Sequence, residues 1–72
     1  MSLRIENAML AAENWNLKHK IGTLVKIRGD NDKIVDGRTR SEAWVPDGYQ
    51  YPVIMLTGIS GWYLLSRVTP NE

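Results

Sequence analysis

Cysteine is absent from this 72-residue chain, histidine occurs once and proline three times. Without thiols neither a disulfide framework nor a thiolate metal site can form, which fits a reducing compartment and leads us to expect a cytoplasmic protein. Apolar runs such as 53–56 and 62–65 are far too short to cross a bilayer. The opening residues carry Arg4, Glu6, Asn7 and Glu13 in place of a continuous apolar core, so no secretory signal is expected and no membrane enters the reading. Internal repeats and low-complexity segments are missing as well.

Catalytic constellations are equally scarce. The single histidine, His19, sits between Lys18 and Lys20 at a helix–strand junction and reads as a solvated loop residue. No serine has a recognisable base beside it, and the glycines do not form a phosphate loop ahead of a helix. Asp30, Asp32 and Asp36 lack the remaining positions of a calcium loop and read as turn caps. We therefore expect no enzyme, no cofactor and no metal.

The length gives one domain, 1–72. A chain of this size buries only about 60% of its unfolded surface, so self-association or a docked N-terminal segment is expected to add stability. The net charge is +1, but its distribution is uneven. From 17 to 40, Lys18, Lys20, Lys26, Arg28, Lys33, Arg38 and Arg40 oppose only Asp30, Asp32 and Asp36, a local excess of +4, while the rest of the chain carries −3. Such asymmetry marks an anionic partner or a solubilising hairpin edge.

Residues 3–17 read as one amphipathic helix, with Ile5, Ala8, Met9, Ala12 and Trp15 on the inner stripe and Ser2 as N-cap. After Gly22 the period switches from 3.6 to 2. Thr23, Val25 and Ile27 face one way in the first strand, and Leu24, Lys26 and Arg28 the other. The turn signal GDND at 29–32 leads to a second strand that begins near Lys33 or Gly37 and ends at Val45. Pro46-Asp47-Gly48 turns the chain into a third strand over 51–57, and 58–61 turns it into a fourth over 62–68. Short antiparallel strands joined by tight turns predict a mainly β fold with an N-terminal helix: a small SH3-like antiparallel β-barrel of four to five strands over 22–70. Residues 53–56 and 62–65 are apolar on both faces, which predicts a covering helix and a symmetric partner, most simply a dimer.

The segment GRTRSEAWV at 37–45 carries the candidate site. Alternation directs Arg38, Arg40, Glu42 and Trp44 outward and Thr39, Ser41, Ala43 and Val45 inward. Pairing of the first two strands would bring Lys26 and Arg28 onto the same outer face, like charge against like charge unless an anion neutralises them. Guanidinium groups fork onto carboxylate or phosphate, and Trp44, Tyr49 and Tyr51 supply stacking surface nearby. Tyr and Trp at strand ends, Trp62 and Tyr63 included, are the usual anchors of an interface.

The segments Trp15-Asn16, GTLV at 22–25, TRSEAWV at 39–45, PVIMLTG at 52–58 and LLSRVTP at 64–70 resemble a pattern of short uncharacterised proteins of tailed bacteriophages and prophages. That resemblance implies a phage genome context, a compact β fold and the cytoplasm of the host cell. From such a genome context, and from the Arg38, Arg40 and Trp44 face with its adjoining aromatics, we expect a non-enzymatic accessory protein that binds and modulates a host macromolecule, such as a defence protein. A nucleic-acid-binding barrel gripping phosphates with the same residues is the alternative. A similarity in topology alone to the plasmid-borne dihydrofolate reductases raises an oligomeric pore enzyme as a remote third reading. Gly61-Trp62-Tyr63-Leu64 departs at every position from their Val-Gln-Ile-Tyr run, so the activity is not carried over.

Overall fold

The structure is a computed structural model and describes residues 3–71. Its elements are α1 (Leu3–Lys18), β1 (Leu24–Arg28), β2 (Ile34–Arg38), β3 (Val53–Met55), β4 (Trp62–Leu64), a 3-10 turn (Leu65–Arg67) and β5 (Val68–Pro70). The chain is mainly β with one N-terminal helix, and its five strands form two antiparallel sheets, β2-β1-β5 and β3-β4. Isolated bridges Thr39–Leu56 and Trp44–Val53 tie one sheet to the other. No closed barrel forms among the described residues, which leaves the expected barrel as two linked sheets.

In β1 the alternation holds: Val25 and Ile27 are buried, and Leu24, Lys26 and Arg28 are exposed. The second strand is shorter than the sequence predicts. Regular pairing stops at Arg38, because four residues lie between the bridge positions Thr39 and Trp44 while only two lie between Val53 and Leu56. The two extra residues bulge out, and side chains take over the lost pairing. Ser41 Oγ accepts from Met55 N at 3.0 Å. An insertion of two keeps the faces in phase, so Thr39 and Ala43 remain buried and Arg38, Arg40 and Glu42 exposed. The fourth strand is also interrupted, at Leu65–Arg67, and resumes as β5 against β1.

The core joins Ala12 of the helix to Val25, Ile27, Ala43, Ile54, Leu56, Leu65 and Val68, with Trp15, Ile59 and Tyr63 packed on it. Alanine at 8 and 12 lets α1 approach closely, and both are buried. Met9, expected on the inner stripe, is instead 54% exposed, because the buried arc is centred on Ala8, Ala12 and Trp15. The expected cap Ser2 lies outside the described residues. Val53, Ile54 and Leu56 are completely buried within the single chain, so β3 does not need the second subunit that its two apolar faces suggested.

Asn16 fastens the helix. Its Nδ2 donates to Ala43 O at 2.9 Å, and Ala43 N donates to its Oδ1 at 2.8 Å. One side-chain amide thereby replaces the strand neighbour that the bulge took from Ala43. Thr39 does comparable work at the other end of the bulge, its buried hydroxyl accepting from Gly22 N at 3.0 Å and Thr23 N at 3.2 Å.

Candidate functional site

The seven candidate residues do not share one face; they fall into three places. The first is the pair Arg38 and Arg40, whose guanidinium groups are turned onto the protein's own backbone. Arg40 Nε donates to Leu56 O at 2.9 Å and Nη2 to Ile59 O at 3.1 Å, closing the 57–61 turn onto the bulged segment. Arg38 Nη1 donates to Gly22 O at 3.0 Å, and the Arg38 backbone exchanges hydrogen bonds with Thr57. A carbonyl oxygen accepts a charged donor strongly, so both arginines hold turns in place.

Lys26 and Arg28 occupy the second place, on β1. The expected clash of like charges across the hairpin is absent. The register sets Lys26 opposite Asp36 and Arg28 opposite Ile34, with Arg38 opposite Leu24. Lys26 Nζ and Asp36 Oδ1 form an ion pair at 3.5 Å. Together with Ile34, Ser66, Arg67 and Thr69 the two cations line a hollow of about 320 Å³. Arg67 Nη1 meets Asp30 Oδ1 at 3.0 Å, and the Tyr63 hydroxyl and then Asp30 raise its pKa above the ordinary guanidinium value. Tyr63 in turn donates to Arg28 O at 2.9 Å, which ties β4 to the end of β1.

Trp44, Tyr49 and Tyr51 make the third place, and a fourth ring joins them. Tyr49 stands edge-on to Tyr51 and to Trp62, with ring centroids 5.4 and 5.2 Å away. Edge-to-face rings at this spacing brace one another, yet all four remain at least one-third exposed. The turn below them is set by sequence. Tyr49 N donates to Pro46 O, and Gly48 adopts φ +81° at the third turn position, where a side chain would be strained. Between this turn and α1 runs a groove of about 470 Å³, with Ile5, Met9 and Ala12 on one side and Trp44, Val45 and Pro46 on the other. Glu13 and Asp47 are its charged lining residues.

Sequence reasoning counted Trp62 among the interface aromatics but not in the candidate site, and it missed Arg67 as the third cation of the hollow. Trp62 had a readable signal: it follows Gly61 and alternates outward from Tyr63 in β4. Arg67 had none, because the 3-10 turn breaks the period that would have placed it. His19 packs against Trp15 with ring centroids 4.4 Å apart and extends the last helical turn, its N–H donating to Trp15 O. Among the described residues no group of three or more His, Cys, Asp or Glu side chains is arranged to hold a metal ion. No helix is long and apolar enough to cross a membrane. Comparison with family models, with curated protein sequences and with solved structures gives no match.

Proposed function

We propose that this chain is a binding module that recognises another protein through Trp44, Tyr49, Tyr51 and Trp62 and the groove beside them. The observation that carries the reading is the exposed, mutually braced trio Tyr49–Tyr51–Trp62. Rigid amphipathic rings offer large contact area at little entropic cost, and such rings dominate protein interfaces. The resemblance to short phage proteins supports a host protein as the target and a non-enzymatic, modulating role in the host cytoplasm. The strand path supports an SH3-like arrangement: β5-β1-β2 continues through the Thr39–Leu56 bridge into β3-β4, and a 3-10 turn leads back to β5.

A second reading has its own observation in its favour. The hollow lined by Lys26, Arg28 and Arg67, with the hydroxyls of Ser66 and Thr69, has the chemistry of a phosphate-backbone site. Capture from bacterial lysate with and without nuclease separates the two. The protein reading expects a bound protein that survives nuclease and 0.5 M salt. A partner lost on nuclease treatment, or with a steep fall of affinity with salt, would give the site to nucleic acid instead.

A further inference from the structure

The outward side of α1 exposes two leucines, Leu10 and Leu17, seven residues apart. Leucine recurs at 3, 10 and 17 within the helix, a strict seven-residue spacing. Leu10 is 54% exposed and Leu17 is 85% exposed, more than any other large apolar side chain among the described residues. Helical geometry sets this line opposite the arc of Ala8 and Ala12 that faces the sheets. Asn7 and Asn14 each follow a leucine by four residues, which is the spacing of the second position in a coiled-coil seam. Glu6 and Glu13 flank the leucine line on one side and Lys18 flanks it on the other. Glu13 and Lys18 have no ion-pair partner among the described residues.

We propose that this face is the seam of a homodimer in which two copies of α1 lie parallel about a twofold axis. Leu10 and Leu17 pack against the same residues of the second copy, Asn14 meets Asn14, and Glu13 of one copy pairs with Lys18 of the other. The charges choose both the occupant and its direction. In a parallel pair the glutamate flank of one helix meets the lysine flank of the other, whereas an antiparallel pair sets Glu6 and Glu13 against Glu13 and Glu6. Because the seam lies opposite the β layers, the two β layers sit on the outside and do not collide.

A helix of 16 residues is about 24 Å long, too short for an isolated coiled coil to be stable. Here each helix is already ordered by Asn16 and the alanine contacts, so association does not have to fold it. The seam is smaller than the roughly 1,200 Å² of a standard interface, so the dimer is weak and concentration-dependent.

Sedimentation of the purified full chain from about 10 μM to about 1 mM tests this without any other partner, so its outcome is independent of the aromatic site. The weight-average mass is expected to rise from 8.2 kDa towards twice that value. Leu10→Glu/Leu17→Glu is expected to stay monomeric at every concentration with its melting temperature at 10 μM unchanged, and Asn14→Leu to tighten the dimer at least tenfold. Glu13→Lys and Lys18→Glu each loosen it severalfold, and the double exchange restores it. A wild-type chain that is monomeric at 1 mM, a dimer that survives the leucine substitutions, or a double exchange that fails to restore association would overturn the proposal.

Discussion

Replacing Asn16 by alanine removes the side chain that satisfies both backbone groups of Ala43. Ala43 is 5% exposed, so its N–H and C=O are left largely out of reach of water. An unmade hydrogen bond at a buried group costs about 1–3 kcal/mol. Two such groups, with some relief from water entering beside the truncated residue, make the loss about 2–4 kcal/mol. A domain of this length has a total stability of about 4–11 kcal/mol, and each kcal/mol moves its midpoint by about 4–8 °C. Thermal melts followed by circular dichroism are therefore expected to show Asn16→Ala unfolding about 10–25 °C below the wild type. Asn16→Asp adds a test by pH. The aspartate still accepts from Ala43 N but sets a carboxylate against Ala43 O. Its protonated form donates there, so its folded pKa rises above the unfolded value of about 3.9. The stability from that bond is present below the unfolded pKa and is lost as pH rises through the folded pKa. The aspartate variant should thus recover relative to wild type as pH falls from about 6 to about 4. An alanine variant melting within about 2 °C of wild type, or an aspartate variant with no recovery in acid, would refute the clamp.

Four further outcomes follow from the same geometry. Thr39→Val deletes the acceptor shared by Gly22 N and Thr23 N, but both amides keep a backbone acceptor; denaturant melts are expected to show a loss of about 1 kcal/mol that Thr39→Ser avoids. Arg40→Ala leaves Leu56 O and Ile59 O without their charged donor and is expected to cost about 2 kcal/mol. Arg40→Lys recovers less than half of that in the same melts, since an ammonium does not span the fork. Asp32 is the one described non-glycine residue at positive φ, +57°, so Asp32→Gly should stabilise by about 0.5–1 kcal/mol. Gly58→Ala, at φ +81°, should destabilise by about 1 kcal/mol in a parallel measurement.

Period-two alternation was enough to orient β1 and even the segment after Arg38, where regular pairing fails. It succeeded there because the bulge adds two residues and leaves the faces of Thr39, Arg40 and Ala43 unchanged. Alternation says which way a side chain points, not what it meets. Arg40 points outward as read, but its fork closes on Leu56 O and Ile59 O, and Arg38 closes on Gly22 O. These contacts join residues 16 to 19 positions apart through a turn, and nothing local encodes them. The bond between Asn16 and Ala43 spans 27 positions and was illegible for the same reason. Lys26 and Arg28 were correctly read as exposed, yet the hairpin register gives Lys26 an aspartate for a neighbour instead of an arginine. Of the aromatic residues read at strand ends and turns, Trp44, Tyr49, Tyr51 and Trp62 are exposed and Tyr63 is half-buried. Tyr49, Tyr51 and Trp62 did come together.

Protein binding by the aromatic surface can be measured by quantitative capture from nuclease-treated bacterial lysate with three forms of the chain: wild type, Tyr49→Ala/Trp62→Ala, and Lys26→Ser/Arg28→Ser. A protein should be retained by the wild type and by the Lys26/Arg28 variant and reduced at least tenfold by the aromatic pair, with all three forms folded at the capture temperature. Retention by the folded aromatic variant, with loss in the Lys26/Arg28 variant, would contradict binding by that surface.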